Sequence, residues 1–182
     1  MIMAKMQTGD FIDGDQMDMK SMGELKTDSN LDPKVVAAYK KVGVVMRSFK
    51  SGKLPKAFKI IPQTQNWEEL LILCNPETWS PHSSFEATKI FSSQLNAKMA
   101  QRFYSVILLP AVQRNIATYK KLNYHLYMAV KKAMFKTGAF FKGFLLPLAE
   151  EATTREAIII GSILQKMSIN ALDVAAALVK MT

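Results

Sequence analysis

From Asn66 onward, apolar residues recur every three or four positions between polar ones, the spacing of helices that bury one stripe. Caps and prolines divide this pattern into elements. Pro33 after Asp32 opens a short helix to about Phe49, followed by Ser51-Gly52-Lys53-Leu54-Pro55 and an extended stretch to Pro62. Asn66 with Glu69 has the form of a capping box ahead of Leu70, Leu71 and Leu73. Ser80-Pro81 begins a long helix to about Leu109, where Pro110 breaks or kinks the chain. A further helix is expected from about Ala111 to Phe135, then punctuation at Thr137-Gly138. A very apolar helix from Ala139 to about Ala149 follows, kinked near Pro147. Thr153 with Glu156 caps a helix through Met167, and Asn170 with Asp173 opens the last. Short connections between such helices predict an all-α fold of antiparallel hairpins. No internal repeat of fixed period is visible.

Residues 1–32 break this regularity. They hold seven carboxylates and three lysines and lack sustained periodicity, so an acidic disordered tail is expected. Asp13-Gly14-Asp15 with Glu24 partly mimics a calcium loop. Met17 occupies a ligand position and Asp18 stands where the sharp turn needs glycine, so no metal is expected. Residues 33–65 read as a short helix and a basic extended linker, and residues 66–182 as a helical domain. The last helix is still running at Thr182, which suggests further C-terminal material.

Charge changes the picture most. Between Glu86 and Glu150 there is no Asp or Glu, while ten Lys and Arg residues fall in the gap. The whole chain carries +9, and its acidic start means that residues 33–182 carry +13. Such an excess predicts a positive field that attracts polyanions, nucleic acid first among them.

Two arrays could carry that binding. On a continuous helix after Pro110, Arg114, Lys121, His125, Lys132 and Lys136 fall within about 60° of one another. Val112, Ile116, Tyr119, Leu122, Leu126, Val130 and Ala133 then form a separate apolar face. Upstream, Arg47, Lys50, Lys53, Lys56 and Lys59 recur every third residue, and a polyproline-like course around Pro55 would align lysines along one edge. A basic linker fits that second pattern equally well. Lys142 lies in the aromatic run Phe140-Phe141-Lys142-Gly143 and completes the set of RNA-binding candidates. Phe141 and Phe144 are expected in the core; the place of Tyr124 stays open.

Catalytic material is scarce. His82 and His125 are the only histidines, and neither has a second histidine four residues on. There is no glycine-rich phosphate loop and no CxxC. The carboxylates Glu150, Glu151 and Glu156 cluster around a helix start, where they favour its dipole. Neither enzymatic activity nor a cofactor or small-molecule substrate is expected. One cysteine, Cys74, excludes an internal disulfide and fits a reducing compartment. With no secretory signal and no run of about 18 apolar residues, a soluble intracellular protein is expected, with no membrane partner.

Several collinear segments resemble the bystin family. They are Gly52-Lys53-Leu54-Pro55-Lys56-Ala57-Phe58-Lys59-Ile60-Ile61-Pro62, Asn66-Trp67-Glu68, and Ala100-Gln101-Arg102-Phe103-Tyr104. Lys121-Leu122-Asn123-Tyr124-His125-Leu126-Tyr127-Met128-Ala129-Val130-Lys131-Lys132-Ala133, Phe140-Phe141-Lys142-Gly143 and Arg155-Glu156-Ala157-Ile158-Ile159 continue the series. The resemblance implies a non-catalytic scaffold of HEAT-like or α-solenoid-like helical hairpins. It also implies binding to pre-40S particles, through pre-18S rRNA, ribosomal proteins and other assembly factors, in support of 18S rRNA maturation. The nucleus and nucleolus, with shuttling to the cytoplasm, are the implied location. The chain departs from the family pattern at Glu150-Glu151-Ala152-Thr153-Thr154 and at Ser168-Ile169-Asn170, and the family usually extends well over a hundred residues further. It therefore resembles a fragment, a truncated product or a diverged paralogue.

Overall fold

The computed structural model describes residues 31–169 and 171–181. Residues 1–30 of the expected disordered tail, the Asp13–Glu24 pattern and the Asn170 cap lie outside the described residues, while at the end of that span Leu31 packs against the core. Within them, every regular element is helical.

Helix α1, Pro33–Ser48, starts where Asp32 accepts a hydrogen bond from the Lys34 amide at 2.9 Å. After the turn at 49–55 the chain is not extended as expected. Lys56–Ile60 forms a short helix, α2, and Ile61–Gln63 a 3-10 turn. Phe58 and Ile61 stand three residues apart, so one helical turn buries both, which an extended strand would not. Lys56 and Lys59 therefore do not share a polyproline edge with Lys50 and Lys53. Helix α3, Trp67–Leu73, lacks the expected capping box: Asn66 has φ −92° and ψ 34°, and its side chain caps nothing.

Ser80 does cap α4, Pro81–Gln94, accepting from the Ser83 amide at 3.1 Å. The helix expected to reach Leu109 stops earlier, because Leu95 turns extended and Asn96 caps α5, Ala97–Phe103. Pro110 is absorbed rather than breaking the chain. A π-turn, Tyr104–Leu108, leads directly into α6, Leu109–Tyr119, with the Leu109 amide bonding the Tyr104 carbonyl. The wider turn accommodates a proline whose ring would crowd the preceding α-helical turn.

The next correction bears on the site. The helix expected from Ala111 to Phe135 is two helices. Lys120 caps α6 in the left-handed region at φ 58°, and Asn123 caps α7, Tyr124–Ala133, accepting from the His125 amide at 2.9 Å. Asn115 closes the corner by accepting from the Asn123 amide at 2.9 Å. Tyr119, assigned to the apolar face, ends up exposed at that corner.

After α7 the break falls at Met134–Lys136, so Thr137 and Gly138 lie inside α8, Thr137–Phe140. A second π-turn, Phe141–Leu145, runs into α9, Leu146–Glu151, again just ahead of a proline, Pro147. Helix α10, Thr154–Leu164, has the full Thr153–Glu156 capping box, and α11 spans Ala171–Met181.

One buried cluster joins these elements, from Val42 on α1 to Ile163 on α10. Phe91 is its hub: it stacks on Phe103 with centroids 4.7 Å apart and meets Phe58 at 5.8 Å and Trp67 at 6.2 Å. Tyr104, fully buried, donates its hydroxyl to Ser92 at 2.9 Å, tying α4 to the π-turn. Phe141 and Phe144 are buried as expected.

Cys74 is fully buried beside α1, where its carbonyl accepts from Trp79 Nε1 at 2.9 Å. Burial pushes its thiol up to about 12, so the reactive thiolate is suppressed at neutral pH. We expect iodoacetamide at pH 8 to leave Cys74 unmodified in the folded protein and to modify it once urea unfolds the chain. Rapid modification without denaturant would contradict its buried place.

Candidate nucleic-acid interface

Four helix ends meet at one edge of the molecule. The last turn of α1 docks on the first turn of α4: Ser83 Oγ donates to the Met46 carbonyl at 2.5 Å, and Ser80 Oγ to the Phe49 carbonyl at 2.6 Å. The buried Ser83 and half-buried Ser80 thereby satisfy carbonyls that a helix end leaves open. On α4, His82 stacks on His125 of α7 with centroids 4.4 Å apart and planes within 5°. At the other end of the same pair, Lys136, just after α7, donates Nζ to the Leu95 carbonyl that follows α4. Helices α4 and α7 thus run side by side in the same direction. Arg155, at the start of α10, donates Nη1 to the Lys120 carbonyl at 3.2 Å and adds a third helix start.

This edge gathers five of the sequence-predicted residues. Arg47 and Lys50 are exposed either side of Phe49, whose ring meets His82 at 5.3 Å. Lys121 is exposed in the α6–α7 corner, and His125 lies half-buried in the stack. Arg114 is exposed nearby and donates Nη1 to the Glu77 carbonyl at 2.5 Å. The α4, α7 and α10 starts share this edge with the C-terminal ends of α1 and α6, so helix dipoles of both signs meet there and the exposed cationic side chains carry the positive charge.

The remaining candidates lie elsewhere. Lys132 belongs to the far end of α7, its ammonium 5.3 Å from the exposed Phe135 ring. Because a corner intervenes, Arg114, Lys121, Lys132 and Lys136 share no continuous helical stripe. Lys136 is a structural clasp, half-buried, and loss of hydration holds its pKa below the ordinary lysine value. Lys142 is half-buried on the second π-turn; Lys53, Lys56 and Lys59 are exposed around α2. The acid-free segment is also less bare than its sequence implies. Arg102 pairs with Glu68 of α3 at 2.5 Å, and Lys89 with Glu86 one turn earlier on α4 at 2.6 Å.

Sequence reasoning missed Lys120 and Arg155 as parts of the edge, and Tyr124, whose place it left open, is exposed there. Lys120 and Arg155 frame an open cleft of about 350 Å³ with Thr154, Ile158 and Ile159. The available signal was Asn123, a good N-cap residue inside what read as one helix. Among the described residues no group of three His, Cys, Asp or Glu could hold a metal ion, and no helix is long and apolar enough to cross a membrane.

The described residues thus form an all-helical module with cations, imidazoles and helix starts gathered at one edge. The family follows from comparison with known proteins. The family model described as Bystin matches residues 1–182. Bystin of Monosiga brevicollis is 53% identical over 172 residues, covering 93% of this chain and 42% of its own length. Human bystin is 54% identical over 152 residues, covering 82% of this chain and 35% of its own. An uncharacterized protein of Schizosaccharomyces pombe is 56% identical over 153 residues, covering 84% and 34% respectively. This chain belongs to the bystin family. It spans between about a third and two fifths of the length of these relatives, none of which bears an enzyme's name.

Proposed function

We propose that this chain is the RNA-contacting part of a non-enzymatic small-subunit assembly factor. In this reading it binds pre-40S particles through pre-18S rRNA, touches ribosomal proteins and other assembly factors, and supports 18S rRNA processing. It acts in the nucleus and nucleolus and shuttles to the cytoplasm. The observation that carries the reading is the shared edge, where Arg47, Lys50, Arg114, Lys120, Lys121 and Arg155 surround three helix starts. Membership in the bystin family supports the ribosomal context.

The architecture is read as two units of a HEAT-like, solenoid-like array. Phe103-Tyr104 followed by Leu108-Leu109-Pro110 returns as Phe140-Phe141 followed by Leu145-Leu146-Pro147, 37 residues later. Each copy holds a π-turn and follows one of the two co-directional helices, α4 and α7. Stacked units of this kind place equivalent helix ends in a row, the geometry that builds an extended binding edge.

The test is RNA binding by the variant Arg47→Gln, Lys50→Gln, Lys121→Gln, followed across salt concentrations. For each phosphate that is no longer neutralised, the log–log salt slope should flatten by about 0.7 to 0.9. Stability should change by about 0.5 kcal/mol or less per site, since all three side chains are exposed. Crosslinking in cells should recover precursor rRNA with the parent sequence and lose it with the variant. Unchanged affinity and slope would make the edge a solvated face, leaving the helices as a protein-only scaffold.

A further inference from the structure

We infer that the α6–α7 corner is a subsite for unpaired nucleotides, in which a base stacks on Tyr124 while Lys120, Lys121 and Arg155 hold the flanking phosphates. This rests on the reading that the edge binds RNA, and it specifies which form of RNA the corner takes.

Tyr124 is 68% exposed although it is the first residue of a packed helix, and Tyr119, 64% exposed, stands at the other side of the corner. Two exposed aromatic rings therefore stand either side of the paired lysines Lys120 and Lys121. Tyr124 also ends a chain of ring contacts. Its ring meets His125 at 5.7 Å and 70°, His125 stacks on His82, and Phe49 abuts His82 at 5.3 Å. These four rings form a column that begins in the core beside α1 and ends in solvent at Tyr124.

The cations are set by the same corner. The left-handed turn at Lys120 places two consecutive lysines in the bend, and Arg155 is brought to them by its bond to the Lys120 carbonyl. A stacking surface beside cations is the combination that recognises single strands, because every base offers a π-face. A regular RNA duplex keeps its bases stacked inside and offers none to Tyr124.

The experiment uses fluorescence anisotropy with an oligouridine of about 12 nucleotides and an RNA duplex of equal length. The full chain is expected to prefer the single strand. Tyr124→Ala should weaken single-strand binding by about 5- to 100-fold with an unchanged salt slope, because no charge is removed. Tyr124→Phe should retain the affinity, and duplex binding should be indifferent to both changes. Thermal unfolding will show whether either variant is folded. As an independent readout, 5-iodouridine in the strand should photocrosslink to the peptide containing Tyr124. If the parent chain binds RNA but Tyr124→Ala binds the single strand equally well, or crosslinks map elsewhere, the stacking subsite is wrong while the phosphate edge stands. If the parent chain binds neither RNA, both readings fall.

Discussion

Phe91→Ala should lower stability by about 3–5 kcal/mol, one of the two largest effects of any single change we expect. Phe91 is fully buried and its ring touches three others, Phe58, Trp67 and Phe103, which come from α2, α3 and α5. Truncation therefore opens a cavity walled by separate helices, which cannot collapse without moving the elements that carry them. A chain of this size should lose about 2–4 °C of melting temperature per kcal/mol, so a fall of roughly 6–20 °C is expected. Heat denaturation followed by circular dichroism measures it. A drop under about 1 kcal/mol would mean that the four rings do not pack as one cluster.

Gly143→Ala should cost comparably, on the order of 3 kcal/mol or more, for the opposite reason. An added Cβ at Gly143 would overlap the carbonyl of Gln101, with the Gln101 C and Cα atoms at 2.9 and 3.0 Å. Those are backbone atoms of α5, so the second π-turn and α5 would have to separate. Gly161 is the internal control. It sits in α10 with nothing within 4 Å of where a Cβ would stand, so Gly161→Ala should stabilise by about 0.5–1 kcal/mol through helix propensity. Urea titration of both variants distinguishes steric overlap from propensity. Equal effects at the two positions would refute the close approach.

The helical class was legible because apolar spacing is a local property, and so were Ser80 and Thr153, whose caps need only the next three residues. Boundaries inside long apolar runs were not. Pro110 reads as a breaker from its own chemistry, but a π-turn upstream absorbs it, and that depends on Tyr104 being buried against Ser92. The corner at Lys120 is held by Asn115 from the preceding helix, a partner that no local window identifies. The site suffered for the same reason: one continuous helix would align Arg114 with Lys136, whereas the fold sends Lys136 to clasp Leu95. Cations that do share an edge come from α1, α6, α10 and the turns beside them, and only tertiary contacts such as His82 on His125 bring them together. The 37-residue correspondence was present in the letters, yet it rests on two aromatic pairs and two Leu-Leu-Pro runs, too sparse to stand out before the π-turns aligned them.

Those π-turns have a geometric consequence for binding. A regular helix advances about 100° per residue, so the one extra residue enclosed by a π-turn rotates everything after it by about that angle. Residues before the first π-turn, Ala100 and Phe103, and residues after it, Val112 and Ile116, face one core only because of this offset. The same rotation sets the azimuth at which α6 delivers Tyr119, Lys120 and Lys121 to the surface. The aim of the basic corner is thus encoded a full three turns away, in a buried stretch that bears no charge at all.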